Sequence, residues 1–172
     1  MKQLWAPWRL EYIEGEKPGG CFLCAAAAGG DDEGALVVYR GRRTFVLLNR
    51  FPYNAGHIMV APRAHQARLA DLDDTDALEI LRLVDRSIEV MDDVFHAQGY
   101  NVGLNLGRAA GAGVEDHVHV HVVPRWTGDT NFMPVLSDVK VMPEHLQATR
   151  RRLAEGFAAA ADRPAGQAVE PR

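Results

Sequence analysis

The sequence predicts an α+β domain built around an antiparallel sheet, and three observations carry that prediction. Three short apolar segments, "ALVVYR" (35–40), "RTFVLLN" (43–49) and "HIMVAP" (57–62), follow one another with only turn residues between them. One long stretch of helical periodicity comes next, over residues 75–98. Two more strand-like segments, "YNVGLNLG" (100–107) and "DHVHVHVVP" (116–124), follow the helix. Strands grouped on either side of a single helix, rather than alternating with helices, fit an antiparallel sheet.

The first three segments are rich in Val, Leu, Ile and Phe and are bounded by Gly, Pro and Asn, as strands are. Gly41 and Arg42 fall where a tight hairpin turn belongs. The acidic run "DLDD" opens the helix, with Asp73 or Asp74 as its cap and the acids set against the helix dipole. Leu81, Val84, Ile88, Met91 and Phe95 recur at intervals of three and four and predict one buried stripe. Gly99 is the expected stop. "RAAGAG" (108–113) reads as a loop, and Pro124 as the end of the last strand. Residues 124–142 read as loop, and 143–161 as a final helix with Pro143 in its first turn and Leu146, Leu153 and Phe157 on its apolar side. These elements define one domain over residues 1–161: an irregular N-terminal segment 1–34, a core 35–126, and a loop with the C-terminal helix over 127–161. Residues 162–172 are expected to be a flexible tail.

Composition narrows the function. The 172 residues are 47% hydrophobic and 24% charged, enough apolar material for one real core. A net charge of −4 without a basic block argues against a nucleic-acid surface. No uncharged stretch is long enough to span a membrane, and "MKQLWAPWRLEYIEGEKPGG" lacks the apolar core of a signal peptide. The expected location is the cytoplasm. Two cysteines, Cys21 and Cys24, cannot form the framework of a disulfide-rich secreted domain.

The stretch "HVHVHVV" (117–123) carries the chemistry. Alternation along a strand turns Val118, Val120 and Val122 to the core and sets His117, His119 and His121 on the other face, about 6–7 Å apart. Three of the seven histidines within five residues is more than a polar surface needs. Two readings remain. Three imidazoles can chelate a catalytic zinc. Alternatively, one imidazole attacks phosphorus while its neighbours manage charge. The upstream "NLGRAAGAG" favours phosphorus, because Gly107, Gly111 and Gly113 let main-chain N–H groups approach an anion, with Asn105 beside them.

These residues resemble the histidine triad (HIT) family. The triad pattern is matched at 117–123, and the similarity extends through "LLNRFPYNAGHIMVAPRAH" (47–65) and "NVGLNLGRAAGAG" (101–113), covering residues 20–150. The resemblance implies a HIT-like fold, with a sheet of about five antiparallel strands, one long helix and a C-terminal helix. It implies cleavage at a nucleotide's α-phosphate through a nucleotidyl-histidine intermediate, with no organic cofactor. By the same match His119 is the nucleophile, and His121 holds a phosphate oxygen or the leaving-group bridge, helped by Asn105, Gly111 and Gly113. Asn49 falls where the family contacts ribose, Phe22 and Leu47 where it walls the purine, and His57 where a histidine supports the triad. One departure stands out: many members read Gly-Gln-Ser or Gly-Gln-Thr before the triad, whereas this chain has Gly111-Ala112-Gly113.

The resemblance also implies a structural zinc held by Cys21, Cys24, His65 and His117, which would take His117 out of the catalytic set. "LWAPWR" and "PRWTGDTNF" resemble the bacterial branch related to diadenosine tetraphosphate phosphorylases, with Trp126 beside the substrate. The implied substrate is an adenine nucleotide or dinucleoside polyphosphate, and the nucleotide acceptor is inorganic phosphate or water. A nucleoside phosphoramidase, a nucleotide-binding module with little turnover and a zinc hydrolase using all three histidines stay open as alternatives. Homodimers are common in the family, and a tetramer is compatible with the sequence.

Overall fold

β-branched and aromatic residues build five strands, and their pairing order sets the architecture. The computed structural model of the chain describes residues 20–129 and 144–161. Expectations for the remaining residues, including the stretch "LWAPWR", Pro143 and the tail 162–172, lie outside them. The elements are α1 (Phe22–Ala28), β1 (Val37–Arg40), β2 (Thr44–Leu48), β3 (Ile58–Pro62), α2 (Asp74–Phe95), β4 (Gly99–Gly103), β5 (Val120–Arg125) and α3 (Leu146–Ala161). The strands form one antiparallel sheet in the order β1-β2-β3-β5-β4. No helix among the described residues is long and apolar enough to cross a membrane.

Both faces of the sheet centre are covered, so every residue of β2 and β3 is buried. Val46, Leu48, Ile58, Val60, Val120 and Val122 pack against α2 and α3, whose Met91, Leu153 and Phe157 are sealed from solvent. On the opposite face Val37, Phe45, Leu47, Met59 and Ala61 meet Leu23, Ala26 and Ala27 of α1. His121 pairs with Met59 in the register, so the histidines belong to this second face. Helix α2 is tied to the β1–β2 hairpin by Glu79, whose carboxylate accepts from the N–H groups of Arg43 and Thr44 and from the Thr44 hydroxyl.

Several local expectations need correction. Residues 1–34 read as irregular, yet Phe22–Ala28 is helical, because alanine is the best helix former and Leu23, Ala26 and Ala27 recur on one buried side. In α2 the buried row is Ile80, Leu83, Val84, Ser87, Val90 and Met91, while Leu81 is 66% exposed. Ser87 hides the true phase: its hydroxyl donates to the Leu83 carbonyl and so enters the core without an unpaired group. The helix stops at His96, not at Gly99. His96 takes the left-handed conformation, and Trp126 Nε1 donates to the carbonyls of Phe95 and His96. The β1–β2 turn centres on Arg42 and Arg43, closed by the Gly41 N–H on the Thr44 carbonyl. Strand β4 ends at Gly103, earlier than expected.

The histidine strand also differs from its expected span of 116–124. The ladder begins at Val120, and the preceding Val118 N–H bonds the Gln66 carbonyl instead. Pro124 does not end the strand. Beyond Val122 strand β3 no longer pairs with β5, and the Pro124 carbonyl on that side accepts from Asn54. The missing N–H therefore breaks no ladder bond.

Gly56 shows how closely the segment before His57 is packed. It has φ of +75°, and a Cβ there would lie 2.9 Å from the Phe95 ring and 3.3 Å from Pro124. Gly56→Ala is expected to cost about 2 kcal/mol, combining backbone strain with the clash. Urea unfolding checks this, and an unchanged midpoint would contradict it.

Candidate active site

Main-chain groups decide where the imidazole protons sit. His119 Nδ1 lies 2.8 Å from the His117 carbonyl, which can only accept. His119 therefore carries its proton on Nδ1, and Nε2 keeps a bare lone pair. Burial pushes the pKa of His119 down, against a partial opposing effect of that hydrogen bond, so the ring is neutral at pH 7. His121 stands beside it with ring centroids 4.9 Å apart in a T-shaped pair. Burial first, and the charge of His119 second, lower the pKa of His121 to about 4.

His57 enters from the N-terminal end of β3. Its Nδ1 accepts from the Tyr53 main-chain N–H at 3.0 Å, and its Nε2 lies 2.9 Å from His121 Nδ1. The Tyr53 ring covers this pair, 4.6 Å from the His57 centroid and 5.8 Å from that of His121. Asn105 closes the group, with Nδ2 3.1 Å from Tyr53 Oη and 3.4 Å from His121 Nε2. The fold thus brings His57, Asn105, His119 and His121 together from three separate stretches of sequence.

Other expected residues take different places. The Asn49 carboxamide oxygen accepts from the Phe51 N–H, shaping the turn after β2. Phe22 is 45% exposed at the start of α1, whereas Leu47 is buried in the core under that helix. Residues Arg108–Ala110 form a 3₁₀ turn between Gly107 and Gly111, both with positive φ. The N–H groups of Ala110, Gly111 and Ala112 bond carbonyls within this turn, and Gly113 follows it toward the histidines. Trp126 lies five residues along from His121, at the C-terminal end of α2.

The sequence alone does not single out Tyr53, Asn54 and Asp129. Asn54 Nδ2 donates to the Pro124 carbonyl and to Asp129, which also pairs with Arg125, so the loop before His57 is pinned to the end of β5. "RFPYNAGH" shows only turn punctuation, and nothing local signals that Tyr53 reaches Asn105, 52 positions away.

A second cluster lies beside the triad. Ligand atoms of Cys21, Cys24, His65 and His117 all fall within 4.8 Å of one another. His117 Nδ1 is 3.3 Å from Cys21 Sγ and 3.5 Å from Cys24 Sγ, and His65 Nδ1 is 3.1 Å from Cys24 Sγ. A tetrahedral zinc with its usual bond lengths sets S and N about 3.6 Å apart, close to these separations. The His117 proton is also where a metal requires it: Nε2 donates to the Pro62 carbonyl at 2.9 Å, which leaves Nδ1 bare toward both sulfurs. Burial and the neighbouring Cys21 raise the Cys24 thiol, a penalty that a divalent cation between the sulfurs reverses. The four residues can hold a metal ion.

Chemically, His119 offers a neutral nucleophile or base with a free Nε2. His121 is a second neutral imidazole beside it, and His117 is committed to the cysteine cluster.

Comparisons with known proteins place this geometry. The chain is 40% identical over 167 residues to AP-4-A phosphorylase of Mycobacterium tuberculosis, covering 92% of this chain and 85% of that protein. It is 30% identical to the asymmetrical bis(5'-nucleosyl)-tetraphosphatase of Schizosaccharomyces pombe, covering 80% of this chain and 72% of that one. A zinc-bound histidine triad family protein from Mycobacterium smegmatis superposes with a TM-score of 0.65 at 25% identity, covering 83% of this chain and 96% of that structure. The HIT domain model matches residues 32–128, which contain all three triad histidines, His57 and Asn105, and the chain belongs to the HIT domain family.

Proposed function

We propose that this protein is a nucleotidyl transferase that splits dinucleoside polyphosphates, diadenosine tetraphosphate first among them, through a covalent intermediate on His119. One observation carries the reading: the hydrogen bond from His119 Nδ1 to the His117 carbonyl frees Nε2 for attack. His119 Nε2 forms a bond to the α-phosphorus, and the bridging P–O bond breaks with its electron pair leaving on ATP. The imidazole gains positive charge as the new bond forms, and the His117 carbonyl facing Nδ1–H stabilises it. His121 and Asn105 stand beside the reacting phosphate, and Asn49, Phe22, Gly111, Gly113 and Trp126 are the proposed contacts to the rest of the substrate, with Leu47 beneath α1 supporting Phe22 from the core. An acceptor then takes AMP from His119. With inorganic phosphate the product is ADP, and with water it is AMP. Similarity over nearly the whole chain to an AP-4-A phosphorylase supports phosphate.

Cys21, Cys24, His65 and His117 are proposed to hold a structural zinc. When bound, it supplies cross-linking of α1 to the loop after β3 and to the approach to β5, and no chemical step passes through it.

Phosphorus NMR of products from diadenosine tetraphosphate tests the activity. ADP and ATP formed only with added phosphate are expected. AMP with ATP makes the enzyme a hydrolase, and no turnover refutes the proposal. His119→Ala is expected to lower turnover on the order of a thousandfold or more while nucleotide affinity stays within a few-fold. Wild-type rates in this variant would remove His119 from the mechanism.

Metal analysis is expected to find about one zinc per chain in the purified protein. Cys24→Ser should lose that zinc and lower Tm by several degrees. Retention of full zinc and Tm would refute the site, whereas turnover that vanishes on chelation in protein still folded would make the metal catalytic.

Acid should weaken the fold through His121. Its folded pKa of about 4 lies below the ordinary value of 6.5, so between these pH values the unfolded chain binds the extra proton. Stability therefore falls as pH drops through that window. His121→Gln should flatten the dependence of Tm on pH between 6.5 and 4, and an identical slope in the variant would count against this origin.

A further inference from the structure

We propose that Tyr53 is a positioning residue that fixes the direction of every hydrogen bond along His57, His121 and Asn105, so that His121 presents a proton on Nε2 to the reacting phosphate. The proposal rests on the transferase reading above for its catalytic consequence, but its structural content stands alone. Tyr53 touches both ends of the chain of polar groups: its main-chain N–H meets His57, and its hydroxyl meets Asn105.

The direction follows from the first contact. A main-chain N–H can only donate, so His57 Nδ1 is bare and its proton is on Nε2. His57 Nε2–H then donates to His121 Nδ1 at 2.9 Å. His121 Nδ1 is thereby an acceptor, and the neutral ring carries its proton on Nε2.

Asn105 forms the far end of this chain of polar groups. His121 Nε2 and Tyr53 Oη lie 3.4 and 3.1 Å from the same terminal atom of the Asn105 carboxamide, placed as Nδ2. An amide nitrogen there would set donor against donor at His121. A half-turn of the carboxamide exchanges nitrogen for oxygen in nearly the same place; the oxygen accepts from the Tyr53 hydroxyl and makes only a long contact of 3.4 Å with His121 Nε2–H, one that a phosphate oxygen replaces. Tyr53 O–H to Asn105 Oδ1 is thus the bond that holds the carboxamide oxygen toward His121. The ring of Tyr53, 51% exposed, lies over both imidazoles and forms the solvent edge of the group.

This geometry separates two neighbouring neutral histidines by proton position. His119 is protonated on Nδ1 and attacks with Nε2, whereas His121 is protonated on Nε2 and donates with it. A nucleophile and a donor then face one substrate without either ring being charged.

Histidine-ring nitrogen-15 NMR on the intact protein at pH 7 tests the direction of the chain. Bare Nδ1 and protonated Nε2 are expected on both His57 and His121, and His121 protonated on Nδ1 overturns the assignment. Tyr53→Phe keeps the ring and the main-chain N–H and removes only the hydroxyl. The kcat on diadenosine tetraphosphate should then fall about tenfold, with KM within about twofold, from loss of one orienting hydrogen bond. The Asn105 side-chain carbonyl carbon should shift, while the tautomers of His57 and His121 persist. An unchanged kcat, a loss confined to KM, or an unshifted Asn105 carbonyl overturns the role of the hydroxyl. If the wild-type protein turns over no dinucleotide, the transferase reading fails, and Tyr53 is still judged by the two NMR measurements.

Discussion

The carbonyl of His117 accepts the Nδ1 proton of His119, and the usefulness of the whole histidine face depends on that bond. Without it, a buried neutral imidazole has two tautomers, one of which hides its lone pair. With it, Nε2 is always the free nitrogen. The same device recurs along the chain. The Pro62 carbonyl holds His117 with Nδ1 bare toward the cysteines, and the Tyr53 N–H holds His57 with Nδ1 occupied. Main-chain groups are anchored by the sheet and its turns, so they specify proton positions more rigidly than side chains on rotatable bonds.

Burial is the other half of the arrangement. His57 and His117 are sealed from solvent, and His119 and His121 are nearly so. Taking a polar ring out of water costs free energy unless its nitrogens find partners. Here the partners are the groups that set the tautomers, so one set of contacts satisfies the rings and defines their chemistry. Burial also keeps His119 and His121 neutral, as the proposed attack by His119 requires. The clamp of Asn54 and Asp129 extends this logic to the backbone. It ties the loop carrying Tyr53 to the end of β5, the strand that carries His121.

Much of this was legible in sequence because it depends on short-range pattern. The five strands, the long helix and the alternation of Val120 and Val122 with His119 and His121 all follow from periods of two and 3.6. The identity of Cys21, Cys24, His65 and His117 as one cluster came from resemblance, and the fold does bring their ligand atoms together. Features made by contacts between distant segments were not legible. Ser87 reads as a polar break in a helix, but it belongs to the buried row because its hydroxyl bonds back to Leu83. Leu81 reads as core and faces solvent, since the helix's phase is set by what α2 packs against. The stop at His96 depends on an indole 30 residues away. Tyr53 looked like turn filling, because its two partners are separated from each other by 48 positions.

The departure at Gly111-Ala112-Gly113 gains meaning from these contacts. The family pattern of glutamine and a hydroxyl residue there implies extra side-chain donors toward phosphate. This chain has alanine and glycine, and the N–H groups of Ala110, Gly111 and Ala112 are already bonded within their own 3₁₀ turn. In the proposed mechanism, negative charge developing at the phosphate therefore leans more heavily on side-chain donors within the histidine group. In the proposed mechanism His121 Nε2–H is the donor beside His119, and its proton is set from the opposite side of the ring, by His57. On that mechanism, a chain with alanine and glycine at these positions has the greater need of a fixed hydrogen-bond direction from Tyr53 through His57 to His121.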